Sequence, residues 1–217
     1  MENIIFCSSP FQVLVAKEVV QTVSEDFIGI YLKMSNDTRQ TFYAERMAEF
    51  CKEVLVLEGK TVLNDIQEAL KDRAISNLYL ASLDNPVALS VFNPSTMNLY
   101  TFDDGSTSIV PLNLYTQNLE KGIPYTNFTL REVMSLSNRH FTVFEDCILF
   151  PKEKQVFLRL HLEPSHFHRA KNGKKISVFL AQFLGSLLYQ EDLEITQKLT
   201  AKVLDEQKID YYYPHPR

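Results

Sequence analysis

The sequence predicts an α/β protein with one complete parallel-sheet domain and the beginning of a second. Short apolar runs alternate with helix-like stretches over about the first 110 residues, and a further strand-helix-strand pattern begins near residue 175. Alternation of this kind is typical of a mostly parallel sheet with helices on both faces. With 217 residues, of which 45% are hydrophobic, the chain can bury a sizeable core.

The first strand and helix are predicted from the opening "NIIFCSSPFQVLVAKEVV". The apolar run gives a strand at about residues 4–7, and small residues then turn the chain. A helix follows, with Ser8 or Ser9 as its N-cap and Pro10 in its first turn. Its apolar residues recur at helical spacing, so one face of this helix is expected to pack on the sheet.

The next strands and helices continue this alternation as far as residue 110. Strands are predicted at 27–32, 53–59, 77–82 and 97–102, with helices around 40–52 and 61–73. Residues 1–110 are therefore predicted to form a first Rossmann-like domain.

The pattern changes at residue 111. Residues 111–174 are rich in loops, apart from a helix predicted in "TLREVMSLSNRHF", and are interpreted as a connector and linker. Residues 175–217 predict strands at 175–182 and 208–214 with a helix at about 191–207. Because a stable layer needs about three to six strands, this second Rossmann-like domain is expected to be incomplete. Either the sequence is truncated, or this half-domain completes itself against another chain.

Composition and charge exclude several classes of protein. A net charge of −5 argues against a nucleic-acid-binding protein, which needs a basic surface. Cys7, Cys51 and Cys147 fit no zinc or disulfide spacing and suit a reducing compartment. The opening "MENIIFCSSP" has no basic n-region and too short an apolar run for a signal peptide, and no stretch of the sequence approaches the roughly 20 apolar residues of a membrane span. A cytoplasmic location is the expectation.

Candidate site residues lie where the predicted strands end, since ligands of open parallel sheets bind beyond the carboxyl ends of the strands. The adjacent carboxylates of Asp103 and Asp104 are either part of a plain Asp-Gly turn or a source of a general base, because neighbouring like charges raise a pKa. The polar groups at strand ends are Ser8 and Ser9, Asp103 to Ser106, Gly185 and Ser186, and His215 to Arg217.

Two other ligand classes are not favoured. The Gly185–Ser186 pair lacks the G-x-G-x-x-G fingerprint, which makes a role in NAD binding improbable. His161, His166 and His168 lie close together in the sequence, but no cysteine or carboxylate pattern accompanies them. A solvated basic linker is favoured there over a metal site.

Four segments carry a resemblance to a known family. "CSSPFQVLVA", "FDDGS", "FLAQFLGSLLYQED" and above all "YYYPHPR" together resemble the bacterial lipooligosaccharide sialyltransferases. These are inverting enzymes of the GT-B fold that use CMP-sialic acid. The likeness spans the whole chain in matching order.

The resemblance implies a GT-B-like glycosyltransferase that moves sialic acid from CMP-sialic acid to a galactose-terminated lipooligosaccharide, with inversion and with neither a metal nor another cofactor. It implies a nucleotide-sugar donor and a glycolipid acceptor as partners. It also implies peripheral contact with the cytoplasmic face of the inner membrane, and a homodimer. The alternatives are a GT-B enzyme with another sugar donor, and a truncated nucleotide-binding module without catalytic activity.

Residue roles follow from the same resemblance. His215 matches the His-Pro motif and is expected to donate to the departing phosphate. Asp192 is the first choice for the base and Glu191 the second. Related sialyltransferases use an Asp-Asp-Gly turn instead, which makes Asp103 or Asp104 the rival. The expected substrate-binding residues are Ser8, Ser9, Gly105, Gly185, Ser186 and Arg217.

Overall fold

A computed structural model of the protein describes residues 2–34, 38–59, 61–111 and 113–161, and beyond these only 178–180, 198, 201–202, 204 and 211–213. The chain divides into two compact units, Met1–Leu162 and Glu163–Arg217. The first unit contains nearly all of the described residues.

The first unit is built on a seven-stranded sheet in the order β3-β2-β1-β4-β5-β6-β7, in which every neighbouring pair is parallel. The parallel sheet predicted from the sequence is therefore confirmed. Its strands are β1 Glu2–Cys7, β2 Phe27–Lys33, β3 Glu53–Glu58, β4 Ile75–Leu80, β5 Asn98–Phe102, β6 Ser137–Thr142 and β7 Gln155–Phe157.

Helices cover both faces of the sheet. They are α1 Pro10–Val23, α2 Thr38–Arg46, α3 Val62–Leu70, α4 Pro86–Ser90, α5 Leu114–Gln117 and α6 Leu130–Leu136, with short 3-10 turns at Met47–Glu49, Ser106–Ser108 and Lys152–Lys154. Successive residues of a strand point to opposite faces. Thus Ile4 and Phe6 of β1 lie in one core with α3, α4 and α6, whereas Ile5 and Cys7 lie in the other with α1.

The first unit is longer than the sequence predicted. Residues assigned to a connector, 111–174, contribute β6 and β7 to the sheet, and the unit extends to Leu162. The helix predicted in "TLREVMSLSNRHF" ends at Leu136, and its second half is β6. The signal was weak because β6 reads "SNRHFT", with polar residues at buried positions.

The described part of the second unit agrees with the predicted strands. β8 (Val178–Leu180) and β9 (Tyr211–Tyr213) pair in parallel. Residues 198, 201, 202 and 204, within the predicted helix 191–207, are helical. The incompleteness expected of this domain stays a prediction.

In the ranges that the structure describes, no helix combines the length and the hydropathy that a membrane crossing requires.

Burial predicts which leucines stabilise the first unit. Leu78 of β4 is fully buried, whereas Leu114 at the start of α5 is 64% exposed. Leu78→Ala should lower the free energy of unfolding by about 2–5 kcal/mol, since it leaves a cavity in the core. The matched control Leu114→Ala should change it by less than about 0.5 kcal/mol. Denaturant unfolding measures both, and equal effects would contradict the packing described here.

Candidate active site

The order of the strands locates the candidate site. The chain adds β2 and β3 on one side of β1, and β4 to β7 on the other, so the order reverses between β1 and β4. Ligands of open α/β sheets bind beyond the carboxyl ends of the strands at this reversal. Ser8 and Gln12 follow β1 there, Ser82 follows β4, and Asp104 follows β5.

The Asp104 carboxylate is the centre of this polar group. Its Oδ1 accepts a hydrogen bond from Gln12 Nε2. Its Oδ2 accepts from Ser82 Oγ at 2.8 Å and from the Tyr115 hydroxyl at 3.2 Å. Burial keeps the Tyr115 pKa raised, with the nearby Asp104 charge adding to the effect, so this phenol remains a donor.

The pKa of Asp104 lies above its ordinary value. Burial is the main cause, and the negative charge of Asp84 adds to it. The hydrogen bonds from Gln12, Ser82 and Tyr115 lower the pKa but do not cancel the effect of burial. A half-buried carboxylate with a raised pKa is suited to accept a proton from a substrate hydroxyl.

The neighbouring Asp103 has a different environment. It is fully buried, and its Oδ1 lies 2.5 Å from Ser108 Oγ and 3.2 Å from His140 Nε2. Its Oδ2 accepts a hydrogen bond from the Val143 backbone N–H at 2.7 Å. Asp103 therefore attaches the turn after β5 to β6, while Asp104 reaches the residues beyond β1 and β4.

Gly105 gives this turn its shape. Its φ of +109° and ψ of −153° lie in a region that only glycine adopts without strain. The chain then enters the 3-10 turn Ser106–Ser108. The two interpretations of "DDGS" are thus compatible, because the segment is a tight turn that also displays a carboxylate.

Ser8 and Ser9 both position Gln12. Ser9 is the N-cap of α1, and its Oγ accepts from the Gln12 backbone N–H at 3.3 Å. The Ser8 backbone N–H donates to Gln12 Oε1 at 2.6 Å, which leaves the Nε2 group to donate to Asp104 and Ser82. The predicted cap is confirmed, and direct substrate contact by either serine stays a prediction.

His140 is buried behind the site, at 2% exposure. Its Nδ1 lies 3.0 Å from Thr101 Oγ1, and its ring stacks on Phe150 with centroids 4.3 Å apart. Burial alone would lower the pKa of His140, but Asp103 and Cys147 outweigh it, so the pKa is raised. The same proximity lowers the pKa of Cys147 against the effect of its burial.

Three members of the Asp104 group were not identified from the sequence. Ser82 could have been, because it is the last residue of a predicted strand. Gln12 and Tyr115 lie inside helices, and nothing in their local sequence marks them.

His161, assigned to a solvated linker, has an exposed ring but donates its backbone N–H to the buried Glu18 at 3.0 Å. The remaining predicted site residues lie outside the described residues; they are His215, Asp192, Glu191, Gly185, Ser186 and Arg217.

Comparison with known proteins identifies the family. The model of glycosyltransferase family 52 matches residues 24–217. The chain belongs to glycosyltransferase family 52. It is similar to the CMP-N-acetylneuraminate:beta-galactoside alpha-2,3-sialyltransferase of Pasteurella multocida (strain Pm70), at 26% identity over 99% of this chain and 73% of that protein. It is also 25% identical to the N-acetyllactosaminide alpha-2,3-sialyltransferase of Haemophilus influenzae, over the same shares.

The raised pKa of His140 predicts a pH-dependent stability for this glycosyltransferase. A raised pKa means that protonated His140 stabilises the folded state. This contribution is fully present below the unfolded pKa of about 6.5 and is lost as the pH rises through the higher folded pKa. The free energy of unfolding should therefore fall as the pH rises above about 6.5. Denaturant unfolding at a series of pH values measures it in the wild-type protein, where Cys147 still contributes to the raised pKa of His140.

Two variants isolate this contribution. His140→Gln removes the titrating ring, and Asp103→Asn removes one of the two groups that raise its pKa. Each should flatten the slope of unfolding free energy against pH. One slope shared by the wild-type protein and both variants would show that His140 does not titrate differently on folding.

Proposed function

We propose that this protein transfers sialic acid from CMP-sialic acid to O3 of a terminal galactose. Family membership supports transfer of a sugar, and both curated relatives are named as alpha-2,3-sialyltransferases. The similarity covers 99% of this chain in each case. We further propose a lipooligosaccharide as the natural acceptor, reached by peripheral contact of a homodimer with the cytoplasmic membrane face.

The proposed reaction needs a base and an acid. The galactose hydroxyl oxygen forms a bond to the anomeric carbon of the sialyl group, and the bond from that carbon to the CMP phosphate oxygen breaks with inversion. The hydroxyl proton passes to a carboxylate, and a hydrogen-bond donor stabilises the charge on the leaving phosphate. Side chains supply both functions, so turnover should be the same in EDTA as in Mg²⁺.

Among the residues of the first unit, Asp104 is proposed as the base because of its environment. This carboxylate is half-buried, has a raised pKa, and lies at the strand reversal where ligands bind. Asp103 is committed to Ser108, His140 and the Val143 backbone. We therefore place Asp104 before Asp103, and test it against Asp192 and Glu191, which the family resemblance implies.

His215 is the proposed donor to the leaving phosphate. Pro214 and Pro216 restrict the backbone on both sides of it, so the imidazole loses little conformational entropy when it is positioned. A phosphate nearby favours the protonated ring, which can then donate as negative charge develops. We propose that Gly185, Ser186 and Arg217 contribute to binding of the same nucleotide.

The identity of the base can be tested by amide substitution. Asp104→Asn should lower the turnover number by about 10²- to 10⁴-fold, with CMP affinity unchanged, because it removes a proton acceptor and preserves the shape. Asp103→Asn should mainly lower stability. Transfer from CMP-sialic acid to lactose is the assay. If only Asp192→Asn or Glu191→Gln lowers turnover to this extent, Asp104 is not the base.

The role of His215 predicts a separate effect. His215→Ala should reduce turnover by about 10²-fold or more, as loss of a preorganised donor to a developing anion does. CMP binding should weaken only modestly. Thermal unfolding is the control, since a loss of stability that parallels the loss of activity would identify His215 as a packing residue.

A further inference from the structure

A cavity of about 380 Å³ adjoins Tyr115 in the first unit. One wall comes from the segment after β4, with Asp84 and Pro86, and the other from residues 114–130. We call this cavity the Tyr115 pocket. Its volume falls in the range of about 300–1,000 Å³ that is usual for small-molecule sites.

The Tyr115 pocket is connected to the proposed base. The Tyr115 side chain lines the pocket, and its hydroxyl donates to Asp104 Oδ2 at 3.2 Å. Asp84, on the opposite wall, is close enough for its charge to raise the pKa of both Tyr115 and Asp104. A ligand in the pocket is therefore separated from the Asp104 carboxylate by a single side chain.

The polar groups of the pocket suit a neutral ligand. One carboxylate, Asp84, and one ammonium group, Lys121, balance each other, and the Asn118 amide both donates and accepts. In the described part of the chain, neither the Asp84 nor the Lys121 side chain forms a hydrogen bond or ion pair, so both can bind hydroxyl groups. A phosphate would instead require several cationic or N–H donors together.

The remaining lining is apolar. Leu114, Ile123 and Pro124 contribute hydrocarbon surface, and the side chain of Leu114 is largely exposed. A sugar ring presents hydroxyl groups at its edge and C–H groups on its faces. Such a ligand can therefore use both the apolar wall and the polar side chains of this pocket.

We propose that the Tyr115 pocket binds the acceptor, a neutral galactose-terminated saccharide, one side chain away from Asp104. This inference rests on the proposed function, since it assigns one of the two substrates of that reaction. The nucleotide part of the donor, which carries a phosphate, is proposed to bind at Gly185, Ser186, His215 and Arg217.

Filling the pocket tests this assignment in the full chain. A side chain added at Gly122, which lines the pocket, would meet no atom within 4 Å at its Cβ, so Gly122→Trp should fold. It should raise the KM for lactose by about tenfold or more with little change in the KM for CMP-sialic acid, as loss of ground-state binding of one substrate does. Unchanged lactose KM in the folded variant would overturn the proposal.

A second pair of variants keeps the test valid if Gly122→Trp does not fold. Asp84→Ala removes a carboxylate from the pocket, whereas Asp72→Ala removes an exposed aspartate before β4, at the opposite edge of the sheet. Asp84→Ala should raise the lactose KM by about threefold to tenfold, and Asp72→Ala should leave it unchanged. Equal values for the two variants would overturn the proposal.

Direct binding separates this inference from the proposed function. Saturation-transfer NMR with lactose, without donor, should show contact with the wild-type protein and a weaker signal in Asp84→Ala. This result without any sialyl transfer would support the pocket and refute the proposed reaction. Absence of lactose contact with the wild-type protein would refute the pocket, even if CMP-sialic acid still binds.

Discussion

The parallel pairing of β1 with β2 on one side and β4 on the other is the constraint on which the site depends. Each register is continuous over most of β1, from Asn3 to Phe6. Because both neighbours run in the same direction, the ends of β1 and β4 lie at one edge of the sheet, and the segments that follow meet there. The hydrogen bonds from Gln12 to Ser82 and Asp104 are a direct consequence of this pairing.

Buried polar groups explain how the sheet continues beyond β5. Thr101 of β5 contacts Ser137 and His140 of β6 through hydrogen bonds of 2.9 and 3.0 Å. A buried polar group without a partner costs free energy, whereas these groups satisfy one another across two strands. β6 can therefore be polar and internal at once, and it supplies the histidine that holds Asp103.

The adjacent carboxylates divide two tasks between them. Asp103 is surrounded by donors and fixes the turn, and Gly105 lets the chain reverse directly afterwards. Asp104 is held by three side chains from separate segments but remains partly exposed. Rigid support from one carboxylate allows the other to keep a fixed position while its pKa is raised by burial.

The sequence by itself determined the parallel sheet and the positions of β1 to β5, because strand and helix periodicities are local properties of the chain. It also placed the cap of α1 at Ser8 or Ser9, and both Asp103 and Asp104 at a strand end. Family membership is also recognisable from the sequence, because each motif consists of residues that are adjacent in the chain.

Tertiary structure decided which of these residues act together. Gln12 and Asp104 are 92 residues apart, and Asp103 and His140 are 37 apart, so no local pattern relates them. β6 has no apolar alternation because its buried groups are satisfied by hydrogen bonds from another strand. The choice between Asp103 and Asp104 likewise depends on burial and on partners brought in by the sheet, which only the folded chain provides.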